Sequence, residues 1–193
     1  CLCKILWKQQ CQKIIKAKDY LQMIDIQNQA DTRKIPLNKV GVRGLRYPVK
    51  VLDKKNKVQT TTATADLFVN LPHHYKGTHM SRFVEIFHAH HGDLSMKGFL
   101  AMLEEVRQKL DSECAYGVVK FPFFMEKTAP VSKQSSMMCY ECTYEASVSE
   151  ETKNFFVTID VPVTTLCPCS KAISKNGAHN QRGIVRVKVQ NTH

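Results

Sequence analysis

The chain has 193 residues, of which 43% are hydrophobic and 23% charged, a balance that buries a sizeable core and excludes a disordered polyelectrolyte. Its net charge of +11 is local, because residues 1–57 hold 14 Lys/Arg against 4 Asp/Glu while residues 58–193 hold 14 against 13; the basic arm reads as a solvated face and no nucleic-acid partner is expected. The 8 cysteines are too sparse for a secreted disulfide scaffold, and with no signal peptide and no apolar run of about 18 residues, a cytoplasmic protein with no membrane partner is expected.

Residues 1–19 form an N-terminal extension, with five lysines before Asp19 and an apolar spacing that permits a short helix. Residues 40–52 and 58–69 read as a hairpin around Asp53-Lys54-Lys55-Asn56, the second strand alternating Ala63, Ala65, Leu67 and Val69 against Thr62, Thr64 and Asp66. A loop with Pro72 and Gly77 follows. Met80, Phe83 and Phe87 then return at helical spacing, and a second helix starts at Ser95, a plausible N-cap, with Phe99, Leu103, Val106 and Leu110 on one face. Residues 115–127, 137–148 and 153–163 read as strands. The last of these sets Phe155, Val157, Ile159, Val161 and Val163 on one face, and residues 184–189 set Val185, Val187 and Val189 against Arg186 and Lys188. Helices that follow a hairpin, instead of alternating singly with strands, predict an α+β fold: an antiparallel sheet with paired helices on one face. The chain begins at Cys1 rather than Met and stops directly after a strand-like run, which reads as a piece of a longer protein.

The chemistry concentrates in Leu166-Cys167-Pro168-Cys169-Ser170-Lys171 and Gly177-Ala178-His179-Asn180-Gln181-Arg182. Two thiols and an imidazole this close suit zinc or another late divalent metal; equally, one cysteine is a nucleophile activated by Lys171 or His179. A second candidate is Lys76-Gly77-Thr78-His79-Met80-Ser81-Arg82, where free amides at a helix start, with Ser81 and Arg82, can hold phosphate. In the alternative, Thr78 or Ser81 caps the helix and Arg82 pairs with Glu85. The mixed spacing of His88, His90 and His91 favours a solvated face over a ligand set.

These two motifs, with Ala129-Pro130-Val131-Ser132 between them and Ile26-Gln27-Asn28, Asp31-x-Arg33 and Val40-Gly41-Val42 before them, together resemble the GTP cyclohydrolase I type B family. The resemblance implies a tunnelling fold, with residues 20–165 as a first module and residues 166–193 as the start of an incomplete second one. It implies a homotetramer with active sites between subunits. The implied reaction is hydrolysis of GTP to 7,8-dihydroneopterin triphosphate and formate, the first step of tetrahydrofolate biosynthesis. By position, Cys167 and His179 match the family's metal ligands, for zinc, manganese or iron, and Cys169 is an auxiliary catalytic thiol. A glutamate further along completes the family's metal shell and another acid reads its guanine; neither has a counterpart here. His79, Arg82, Lys171 and Arg182 are the candidates for substrate binding. The competing readings are a nitrile reductase of the same superfamily, with a cysteine nucleophile and a nicotinamide cofactor, and a basic binding module with a structural metal.

Overall fold

The computed structural model describes residues 35–191 except 74, 76 and 176, so the N-terminal extension and the motif positions at residues 26–33 lie outside the described residues. Strands β1 (Leu37–Asp53) and β2 (Lys57–Leu71) lead into helices α1 (Met80–His90) and α2 (Met96–Lys109). After them come β3 (Cys114–Thr128), β4 (Ser135–Ser149), β5 (Lys153–Leu166), the short helix α3 (Pro168–Ile173) and β6 (Asn180–Asn191). The strands form one sheet in sequence order, every neighbouring pair antiparallel. This is an α+β fold.

Alternation decides which face of the sheet the helices cover. In β2, Ala63, Ala65, Leu67 and Val69 are fully buried while Thr62, Thr64 and Asp66 between them are not, the period-2 signature of a strand with one face in a core. Helix α1 buries Phe83, Ile86 and Phe87 against that face, and α2 buries Phe99, Met102, Leu103 and Val106. The Ser95 hydroxyl caps α2 by accepting the Gly98 N–H at 3.1 Å.

The sheet curls around the helix pair. Leu94 N–H donates to the Lys50 carbonyl of β1 at 3.0 Å, and Asn191 of β6 reaches the Met96 sulfur at 3.1 Å, so both edge strands touch the short stretch where the chain enters α2. On the helix side of β5 and β6, Val157, Ile159 and Val161 pair with Val189, Val187 and Val185. Neither long helix reaches far enough to cover β6, whose three valines are 44–56% exposed. The opposite face is charged: Arg186 makes a two-pronged contact with Asp160, both distances 2.7 Å, and Lys188 reaches Glu145 at 2.6 Å.

Between β2 and β3 the backbone ladder stops at Thr64↔Lys120. Pro122 has no N–H to offer the next rungs, and side chains take them over. Thr61 Oγ1 donates to the Pro122 carbonyl at 2.9 Å, and the Gln59 amide both donates to the Phe124 carbonyl and accepts its N–H, each at 2.8 Å. At the histidine-rich end of α1 the His88 and His91 rings stack on each other and both meet Tyr47, while His90 turns to a separate partner. His88 meets the Tyr47 hydroxyl, His90 meets Glu105 at 2.7 Å, and His91 meets the His88 carbonyl.

Helix α2 lies directly on Gly117 of β3. A Cβ at that position stands 2.8 Å from Phe99 Cζ and 2.9 Å from Leu103 Cδ2, so only glycine lets the helix sit this close. Gly117→Ala is expected to destabilise the fold by roughly 1–3 kcal/mol through overpacking. Urea denaturation reads this as a lowered midpoint at unchanged slope, and an unchanged midpoint would contradict the packing described.

Candidate active site

Strands β5 and β6 pair from Phe155↔Asn191 to Leu166↔Asn180. Cys167 and His179 are the next residue on each chain, and one more backbone bond, Cys167 N–H to the His179 carbonyl at 3.3 Å, holds them together. Pro168 opens α3, where its fixed φ suits the first turn and its missing N–H is not needed. The return towards His179 passes through Gly177 at φ 124°, a backbone conformation that side-chain-bearing residues rarely adopt.

Inside this loop the two motif halves meet through Ser170. Its Oγ lies 2.8 Å from His179 Nδ1. The Ser170 amide foremost, then the Ser170 hydroxyl and Cys169, hold the Cys167 thiol below its usual pKa. Cys142 shows the opposite case, since burial, reinforced by Glu141, pushes its thiol up to about 11. Cys167 is half-buried, and Cys169 and His179 are exposed.

A thiol that ionises readily beside an imidazole suits a divalent metal, and the donor chemistry of Cys167 and His179 fits two positions of such an ion's shell. Among the described residues, no three His, Cys, Asp or Glu side chains gather at one point. Lys171 follows within α3. Arg182 stands opposite Thr164 on the strand face that also carries Arg186 and Lys188. The sequence reading quoted Ser170 within the motif without seeing its part, because its contact with His179 depends on closure of the 167–179 loop.

His79 and Arg82 lie elsewhere. They line a pocket of about 290 Å³ at the start of α1, with Tyr75, Thr78, Lys109 and Asp111. Neither Thr78 nor Ser81 caps the helix: the N-cap is His79, with no side-chain cap bond. Thr78 is 7% exposed, and its hydroxyl oxygen is buried without a hydrogen-bond partner. Arg82 donates to the Lys109 carbonyl at 2.7 Å, a tertiary partner that replaces the expected pairing with Glu85.

This pocket and Cys167 are at opposite ends of β5. Lys153, the first residue of β5, is 3.9 Å from Glu104 in the last turns of α2, near the pocket, whereas Cys167 follows the last residue of a strand of 14 residues, roughly 45 Å long. The structure brings Cys167, Ser170 and His179 together and does not bring His79 or Arg82 to them within one chain. A larger cleft of about 610 Å³, between the β1–β2 turn and the β3–β4 arm, holds none of the residues chosen from sequence.

The profile of the family described as type I GTP cyclohydrolase folE2 matches residues 23–193. The chain belongs to that family. Among its relatives, the GTP cyclohydrolase FolE2 of Syntrophus aciditrophicus is 52% identical over 168 residues, covering 87% of this chain and 66% of that protein. The FolE2 of Geobacter metallireducens is 48% identical over 170 residues, covering 88% and 65%. The chain therefore spans just under two thirds of the length of these curated relatives. Among solved structures, the uricase of Arthrobacter globiformis aligns with a TM-score of 0.45 and 8% identity, over 79% of this chain and 61% of that one.

The contrast between the thiols has a direct readout. In brief alkylation with iodoacetamide near pH 7, Cys167 is expected to be modified well ahead of Cys142, because the thiolate is the reacting species. Peptide mapping by mass spectrometry gives the order, and equal labelling at the two positions would contradict the environments assigned to them.

Proposed function

We propose that this chain carries the first part of a GTP cyclohydrolase I, which opens the imidazole ring of GTP by hydrolysis and yields 7,8-dihydroneopterin triphosphate and formate at the head of tetrahydrofolate synthesis. The observation that carries the reading is the Cys167–Ser170–His179 contact at the end of the β5–β6 ladder, in a chain of this family. Cys167 and His179 would hold a divalent metal, zinc, iron or manganese. A metal there supplies Lewis-acid chemistry, polarising water and the substrate at C8. Cys169, after the larger contribution of Ser170, helps hold the Cys167 thiol below its usual pKa. Lys171 and Arg182 neutralise phosphate charge as the nucleotide binds.

His79 and Arg82 belong to the same function through a second copy of the chain. The α1 pocket combines free amides at the amino end of an 11-residue helix, the Arg82 guanidinium and the unpartnered Thr78 hydroxyl, a set that suits phosphate. Asp111 on its rim is engaged by the Tyr75 hydroxyl. The length of β5 keeps this pocket beyond the reach of a nucleotide held at Cys167 of the same chain. A shared site therefore needs two subunits, which supports a homo-oligomer, the tetramer of the tunnelling-fold family. In this reading residues 166–193 open a second module, the protein is cytoplasmic, and its substrate is GTP.

Formate release from GTP by the full-length protein tests the activity. Cys167→Ala is expected to lower turnover by roughly 100-fold or more, beyond what loss of a ligand's supporting partner costs, and chelation should do the same. Undiminished turnover in Cys167→Ala would overturn the assignment. The shared site has its own test. Arg82→Ala and Cys167→Ala, each inactive alone, should recover activity when mixed and allowed to exchange subunits, since some hybrids contain one intact site; hybrids that form and stay inactive would place His79 and Arg82 outside the site.

A further inference from the structure

We propose that the cleft between the β1–β2 turn and the β3–β4 arm is a docking groove for an extended acidic peptide of another protein, which adds to the vacated edge of β3 and displaces the Gln59 side chain from it.

The groove exists because β2 and β3 separate early. Their ladder ends at Thr64↔Lys120, yet β3 runs on to Thr128, paired on its other side with β4 as far as Thr128↔Ser135. Backbone groups of successive residues in a strand point to alternate sides. In β3 the even-numbered residues face β2: the Pro122 carbonyl meets Thr61, and the Phe124 N–H and carbonyl both meet the Gln59 amide, each at 2.8 Å. The Glu126 N–H and carbonyl, two residues on, face the same open side, where the ladder with β2 has ended. By donating to and accepting from one residue, the Gln59 amide does what a facing residue does in an antiparallel pair. It holds the place of a strand.

The walls of the cleft state the chemistry of its occupant. Its volume is about 610 Å³, and its apolar lining includes Phe124, Met125 and Met137, which are 39–62% exposed. An open strand edge beside exposed apolar side chains is a template for strand addition. The two hairpin ends, residues 53–58 and 122–137, carry five lysines, at positions 54, 55, 57, 127 and 133, against Asp53 and Glu126. Both acids are engaged locally. Asp53 accepts the Lys55 N–H at 2.8 Å and the Asn56 amide at 2.9 Å, and Glu126 pairs with the Lys55 ammonium. Lys54, also in the wall, has no ion-pair partner among the described residues. A second copy docking end to end would set lysines against lysines. Acidic residues alternating with apolar ones in an extended peptide match the groove instead, one set of side chains meeting the apolar wall and the other the lysines.

The experiment uses the full-length protein and a fluorescein-labelled peptide in which glutamate alternates with valine, read by fluorescence anisotropy. Binding that weakens with added salt is expected, and the same peptide with lysine for glutamate, or with alternate amides N-methylated, should bind roughly tenfold more weakly or worse. Gln59→Ala, which removes the competing amide, should tighten binding. Glu126→Pro separates strand addition from charge. Proline is tolerated at an N–H that faces away from the β3–β4 ladder, and loss of the carboxylate frees Lys55. Charge alone therefore predicts tighter binding by Glu126→Pro, whereas strand addition predicts a loss of roughly tenfold. Glu126→Gln, which frees Lys55 and keeps the N–H, should bind at least as tightly as the parent. Should Glu126→Pro fold poorly by circular dichroism, the N-methylated peptide carries the same test on the parent protein. Failure of the parent to bind the glutamate–valine peptide would overturn the proposal, as would N-methylated peptide binding as well as the unmodified one. A single-stranded oligonucleotide that binds more tightly at the same salt, or self-association that the peptide blocks, would give the groove to another occupant and overturn it too.

Discussion

The site depends on one rung of the sheet, Leu166↔Asn180. Cys167 and His179 are 12 positions apart in the chain, yet they meet because each is the first residue beyond that rung. Register is therefore a condition of the chemistry. A slip of one residue would offer Cys167 a different backbone partner and turn the β6 side chains to the other face, exchanging valines for basic residues. The exposed pairs Arg186–Asp160 and Lys188–Glu145 contribute little to stability, but they match opposite charges only in the observed register.

The same environment logic separates cysteines that the sequence lists alike. Cys142 sits in the core, where burial disfavours its charged form, and Cys167 sits at the mouth of a turn whose amides and hydroxyl favour it. Only the second is suited to ligate or react. Asp160 and Glu104 are likewise held below the ordinary carboxylate range, by Arg186 and Arg107 respectively, as members of ion pairs.

Much of the fold was legible because it is written in periodicity. The alternation in β2, β5 and β6 predicted their faces, and the Ser95 cap with Phe99, Leu103 and Val106 predicted α2. The strands run longer than their apolar cores suggested, since the backbone keeps pairing after the side chains turn polar, as at Thr164 and Thr165 of β5 opposite Arg182 and Gln181 of β6. Helix α3 was missed: its six residues bury nothing, so no hydrophobic period marks it. Cys167 and His179 were legible as residue types and by resemblance, whereas Ser170 and Thr78 were not. The Ser170–His179 contact comes from a loop closing and the Thr78 hydroxyl is buried by packing, and neither leaves a local pattern. Arg82 shows the same limit, as the carbonyl of Lys109, far along the chain, wins over nearby Glu85.

The side-chain rungs at Pro122 have a mechanical meaning. Where a backbone ladder binds two strands at every other residue, here the hydrogen bonds that cross from β2 to β3 beyond Thr64, among the described residues, come from the Gln59 amide and the Thr61 hydroxyl, with the Lys55–Glu126 ion pair at the tip. A side-chain amide is released by a rotamer change, without unfolding either hairpin. The sheet thus has a seam. It parts only the tip of the β1–β2 hairpin from the β3–β4 arm, because Thr64–Val69 stay laddered to Ala115–Lys120 and the rest of the sheet is continuous.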